Sequence, residues 1–114
     1  MEIITKLINN NDTYNNVCNG TLDNNLLKYN ENGINVIFDL ENNKLYRESD
    51  GFKMEYEFIE GIETVNSIFI KDIEKYIDIR IITNILNKSD GFIDIEYQLI
   101  DDGSIIRYTV NYGG

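Results

Sequence analysis

One arginine poses the main chemical question in this chain. In the stretch "KLYRESDGFKMEYE", Lys44 to Glu57, a turn at Asp50-Gly51 sets Leu45 against Tyr56 and Arg47 against Met54. The same register places Lys44 opposite Glu57 and Glu48 opposite Lys53 on the reverse face, two opposite-charge pairs that favour it. Arg47 is then the only basic residue on the well-phased apolar face, which on this reading also holds Phe38 on its other flank. A guanidinium is costly to bury without an anion, a π-face or a route to water. Three arrangements meet that need: an internal acid such as Glu63, a snorkel to the rim, or a ligand whose carboxylate or phosphate Arg47 anchors. Tyr56, Tyr97 and Tyr108 share the inward parity and Thr83 adds another hydroxyl. Arg47, Tyr56, Thr83, Tyr97 and Tyr108 therefore form the candidate ligand-binding set, with plain core packing as the competing account of the tyrosines.

Other chemistry finds little support. The chain has no histidine, which removes Ser-His and Cys-His nucleophile arrangements and leaves a zinc site only carboxylates and one thiol. It contains no GxGxxG or GxxxxGK[ST] element, and its acidic runs do not fit a calcium loop. The paired acids Asp101-Asp102, and Glu55 with Glu57, fall at a turn and on a polar face, where solvation explains them. No catalytic residue, metal or cofactor is assigned, and the reading leans away from an enzyme.

A length of 114 residues fits one domain spanning 1-114, with surface enough to bury a core. The net charge of -10 repels phosphate backbones and anionic headgroups, so nucleic acid and membrane surfaces are poor partners. A small molecule, anionic if Arg47 anchors it, is the partner expected instead. Cys18 has no second cysteine to pair with, which suits a reducing, cytoplasmic compartment. The opening "MEIITKLINNN" has no apolar run long enough for a signal peptide or a membrane span, so the whole chain is expected in the mature protein. The run "NNNDTYNNVCNG" has the look of low complexity, consistent with codon usage that favours Asn and Ile on neutral surfaces.

Every long run that could position these residues alternates with period two. Proline is absent, and six of the eight glycines (Gly20, Gly33, Gly51, Gly61, Gly91 and Gly103) follow Asp, Asn or Glu, punctuating short strand-like segments. "DGFIDIEYQLIDDGSIIRYTVNY", Asp90 to Tyr112, reads as a hairpin about Asp102-Gly103 that sets Leu99 against Ile106, Tyr97 against Tyr108 and Ile95 against Val110. A turn at Asn42-Asn43 sets Leu40 against Leu45, Phe38 against Arg47 and Val36 against Ser49. Ile77, Ile79, Ile81, Thr83 and Ile85 form the longest alternating run. It matches the parity of Ile93 to Leu99 if a three-residue loop ends at Gly91. "EIITKLI" and "TLDNNLLKY" are weaker strands, Ile62 to Lys71 is another, and Ile73 to Tyr76 is the one place for a helical turn. Eight or nine antiparallel strands in meander order close most readily into an all-β barrel, because closure removes exposed edges. A two-sheet sandwich is the alternative.

The order of features resembles the YwiB-like bacterial proteins, a domain of unknown function with a calycin-like, lipocalin-like β-barrel. The likeness rests on "LYRESDG" from Leu45 to Gly51, the strand "FKMEYEF", then "IRIITNIL", "GFIDIEYQL" and a final strand. The short Arg-x-Gly turn of that family is lengthened here to run from Arg47 to Gly51. The resemblance implies a barrel and a bacterial cytoplasmic setting, and no reaction. Beside the ligand-binding reading stands an assembly reading, in which Ile37, Ile59, Ile100 and Ile105 form an exposed patch that joins two copies, so the chain is expected as a monomer or a homodimer.

Overall fold

The computed structural model describes residues 1–113. Ten strands follow one another: β1 (Glu2–Asn9), β2 (Asp12–Asp23), β3 (Leu26–Glu31), β4 (Ile34–Asp39), β5 (Lys44–Glu48), β6 (Phe52–Glu57), β7 (Glu63–Ile70), β8 (Lys75–Ser89), β9 (Phe92–Leu99) and β10 (Ile105–Asn111). Each pairs antiparallel with its sequence neighbours, and β1 pairs with β10, so the sheet closes into an all-β meander barrel. The count exceeds the eight or nine expected because the N-terminal region is fully stranded. The Asn-rich run is most of β2, and "TLDNNLLKY" splits at Asn24-Asn25 into the end of β2 and the start of β3. Both turn residues have positive φ, 50° and 64°. Asparagine tolerates that region better than most side chains, and five of the six non-glycine residues with positive φ are asparagines.

The β5–β6 register is the one expected, with Leu45 opposite Tyr56 and Arg47 opposite Met54. Two other hairpins keep the expected faces but slide by two residues. Phe38 lies opposite Leu45 and Val36 opposite Arg47, so Arg47 sits between Val36 and Met54. The turn before β5 is longer than a two-residue loop because Asp39 Oδ1 accepts from the amides of Glu41 and Asn42. In the last hairpin Tyr97 faces Ile106 and Tyr108 faces Ile95. There the Gly103 amide donates to the Leu99 carbonyl at 2.9 Å, and Asp102 Oδ1 holds the Ser104 amide at 2.8 Å, making a four-residue loop. A shift of two preserves parity, so the inward faces survive both slides.

β8 changes parity by another route than a three-residue loop. Ser89 pairs with Phe92 across a two-residue Asp90-Gly91 turn, and a bulge between Thr83 and Ile85 supplies the odd residue. Beyond the bulge Leu86, rather than Ile85, packs against the core. The bulge is buttressed by the β6–β7 loop: the Gly61 amide donates to the Thr83 carbonyl at 2.7 Å and the Leu86 amide to Glu60 Oε2 at 2.7 Å. Lys71 to Glu74, and Ile73 with it, form a turn, with no helix before Tyr76.

The middle of the barrel is filled. Ile3, Leu27, Val36, Phe38, Phe58, Ile81, Ile93, Ile95 and Val110 are essentially inaccessible. Phe38 stacks with Phe58 at 6.5 Å between centroids, and Tyr97 meets Phe58 at 5.3 Å. Gly20 closes the structure. β2 pairs with β1 from Asp12 to Asn19 and then transfers to β3 at Gly20 opposite Tyr29. A Cβ on Gly20 would lie inside contact distance of the Lys28 carbonyl, Ile3 Cδ1 and Tyr29 Cβ. Gly20→Ala is therefore expected to destabilise the barrel by about 1–3 kcal/mol through overpacking, read as a lower urea midpoint at unchanged slope. An unchanged midpoint would show that the crossing relaxes freely.

Candidate functional site

Arg47 is held by an internal acid, and that acid is Glu31 rather than Glu63. Glu63 begins β7, opposite Ile82 and exposed. Glu31 is the last residue of β3, placed by the Asn32-Gly33 turn, whose φ values of 51° and 87° let the chain reverse in two residues. Leu27, Tyr29 and Glu31 alternate inward, all nearly inaccessible. A carboxylate at that depth requires donors, and it has two. Arg47 Nη2 donates to Oε1 at 3.1 Å and Tyr108 Oη donates to Oε2 at 2.7 Å. The Tyr108 and Tyr29 hydroxyls lie 2.7 Å apart. With its one proton committed to Glu31, Tyr108 accepts there and Tyr29 donates. The result is a chain from Tyr29 through Tyr108 to Glu31, met from the other side by Arg47, in which each bond polarises the next.

Burial raises the pKa of both tyrosines far above the ordinary phenol range, and the negative charge on Glu31 adds to it. Cys18 faces the same region. Its thiol is pushed up by burial first and by Glu31 second, so it stays protonated.

The guanidinium retains donor capacity. Among the described residues its hydrogen bonding is the single bond to Glu31, and Nε is buried with no partner. Beside it opens a cleft of about 260 Å³ lined by Leu7, Tyr14, Asn16, Glu31, Asn32, Ile34 and Arg47. The cleft exists because β2 and β3 pair only from Gly20 opposite Tyr29 to Asp23 opposite Leu26, leaving Asp12–Asn19 without a neighbour on that side. A larger groove of about 560 Å³ on the outer wall runs past Tyr46, Phe69 and Tyr76, but its Lys71 is already held by Glu48 at 2.9 Å.

Of the five candidate residues, the structure links Arg47 and Tyr108 through Glu31. Tyr56, Tyr97 and Thr83 form a second inward group. Tyr56 and Tyr97 meet edge to face at 5.8 Å, and Thr83, opposite Tyr97, buries Oγ1 with no partner. Burial raises the pKa of Tyr97 and Tyr56 as well, with Arg47 pulling weakly the other way. Glu31 and Tyr29 were missed, although the alternating Leu27-Tyr29-Glu31 run before Asn-Gly is a strong hairpin signal. The four isoleucines of the assembly reading do not share a patch. Ile37 is on β4, while Ile100 follows β9 and Ile105 opens β10. β4 and β9 lie on opposite sides of the ten-strand ring.

No family model matches the chain, and no curated protein is similar to it in sequence. Among solved structures, the crystal structure of the ywiB protein from Bacillus subtilis matches with a TM-score of 0.68 at 14% sequence identity, covering 99% of this chain and 89% of that one. The fold is YwiB-like. At that identity the YwiB likeness extends to the path of the backbone and not to the side chains of the cleft. Among the described residues no cluster of His, Cys, Asp or Glu could hold a metal ion, and no helix is long and apolar enough to cross a membrane.

Two measurements probe this network. Arg47→Leu strands the Glu31 carboxylate and should cost about 2 kcal/mol, below the value for fully buried pairs because the Arg47 side chain keeps 22% of its exposure. Adding Glu31→Gln should recover at least half of that loss in urea unfolding. Strict additivity would show that the two side chains are not coupled. In alkaline titration followed at 295 nm, Tyr29, Tyr97 and Tyr108 should hold their protons while unfolded-chain tyrosines, near the ordinary value of 10.0, release theirs. The folded state then binds more protons than the unfolded one, so stability is full below pH 10 and falls as pH rises above it. Part of the tyrosinate signal should therefore appear only together with unfolding, and a smooth non-cooperative rise would contradict the burial.

Proposed function

We propose that the protein is a small-ligand-binding barrel of calycin-like type, working in a bacterial cytoplasm, whose ligand seats in the cleft at the barrel margin. The observation that carries this reading is the buried, unpartnered Nε of Arg47 beside a cleft of about 260 Å³. Both Glu31 oxygens already accept a hydrogen bond, whereas the Arg47 guanidinium keeps an unpartnered donor. That asymmetry favours a ligand that brings an acceptor: a carboxylate, or a carbonyl of similar shape. Leu7 and Ile34 give the rest of the cleft an apolar wall, which suits a short hydrocarbon body. The cleft is smaller than most drug-sized sites, and the ligand is correspondingly small.

Arg47 here does two things. It neutralises Glu31 and lines the cleft while its Nε, covered in the free protein, has no partner, so a bound carboxylate that draws Nε toward it would form a fork with the guanidinium without breaking the internal pair. The filled middle of the barrel excludes a ligand from the axis. Tyr56, Tyr97 and Thr83 do not line the cleft and act in this reading through packing of the core.

The test follows the Arg47 Nε–H resonance by NMR while hexanoate is added, with hexanol as the uncharged comparison. A saturable shift with hexanoate, weaker with hexanol and lost in Arg47→Leu, is the expected result. Native mass spectrometry of gently purified protein should in parallel show a small mass lost on denaturation. No shift with hexanoate and no retained mass would remove the ligand-binding reading.

A further inference from the structure

The unpaired side of β2, which also forms one wall of the cleft, supports a second use of the barrel. From Asp12 to Asn19 the strand pairs with β1 through an unbroken register. On its other side, among the described residues, no strand, bridge or turn bond meets those eight residues. Every one of them except Cys18 is exposed or half-exposed, with Tyr14 at 54% and Val17 at 70%. The edge is thus a row of accessible backbone donors and acceptors about 25 Å long at ordinary strand rise.

Exposed edges are normally blunted by lysine, proline, a bulge or a covering loop. The segment "DTYNNVCN" has none of these: it lacks lysine and proline, its one charge is Asp12 at the start, and its register with β1 has no bulge. From Thr13 on it is part of the longest run without a charged residue, Thr13 to Leu22, in a chain whose net charge is -10. Two copies approaching elsewhere bring acidic surface against acidic surface. At this edge they do not. An antiparallel strand is its own complement under a two-fold axis, so a single strand from each copy makes a closed, isologous contact. On the outer face, exposed Val17 lies opposite exposed Ile4 of β1, and a two-fold antiparallel pairing centred in this segment sets it against the partner's outward Thr13 or Asn15, partly covering it.

We propose that β2 pairs edge to edge with β2 of a second copy, over Asp12–Asn19, to form a two-fold dimer with one sheet running through both barrels. The contact is one strand wide, so the dimer is weak and forms with rising concentration. Tyr14 and Asn16 of this edge also line the cleft, so a second copy seated here narrows it; Arg47→Leu removes the ligand reading and leaves the edge intact, so the two readings can still fail separately.

The test is the mass of the full chain by light scattering across a concentration series, for the wild type and for Val17→Glu and Asn15→Glu. Both substitutions place a carboxylate on the outer face of the edge, where the two-fold axis sets it near the same face of the partner's strand and its matching carboxylate, and neither touches the core. The wild type should pass from monomer to dimer mass, and each variant should stay monomeric with an unchanged urea midpoint. Amide exchange in residues 12–19 should slow with concentration in the wild type alone. A wild type that is monomeric throughout, or a dimer that survives both variants, would overturn the proposal.

Discussion

The Glu31 carboxylate is the group on which the upper half of the barrel is organised. An acid at 5% exposure is tolerable only with donors in place. Those donors come from β5 and β10, strands that never pair with β3 or with each other around the far side. The interaction therefore ties the barrel across its interior, where backbone ladders cannot reach. It accounts for an arginine on an otherwise apolar face and for the alignment of the Tyr29 and Tyr108 hydroxyls. It also sets the character of the neighbouring cleft, where both Glu31 oxygens are engaged while Arg47 Nε has no partner.

Closure supplies the second constraint. Strands in a barrel must tilt and stagger, so some ladders run short at one end. Here the shortfall is handled by local devices. Gly20 lets β2 pass from β1 to β3 at close range. The bulge after Thr83 turns β8, braced by Glu60 and Gly61. Where β6 and β7 diverge, the buried Asn66 accepts the Glu57 amide at 2.8 Å and Thr64 donates to the Glu57 carbonyl at 2.9 Å, so side chains stand in for a lost ladder. Between β2 and β3 nothing comparable fills the gap. The cleft beside Arg47 and the free edge of β2 are two consequences of that one divergence, which is why the chemistry sits at the margin of the barrel and the middle is packed with Phe38 and Phe58.

Sequence alone determined what depends on alternation and local turn chemistry. Period-two patterning without proline made the chain all-β, and the charge pairs at Lys44–Glu57 and Glu48–Lys53 located β5 against β6. Parity put Arg47, Tyr56, Tyr97 and Tyr108 inward, and that survived two register slips because each slip was by two residues. Tertiary structure decided everything that depends on which strands meet across the interior. That Arg47 finds Glu31 and not Glu63 follows from the curved β3–β4–β5 meander, which sets Glu31 opposite Ile34 and Arg47 opposite Val36 on the two flanks of β4, while Glu63 opens β7 exposed. The change of face in β8 was equally invisible, because a bulge at Asn84 and an odd loop produce the same pattern of side chains in sequence. Alternation records which side of the sheet a residue occupies, but the curvature of the closed sheet decides which residue it faces across the core.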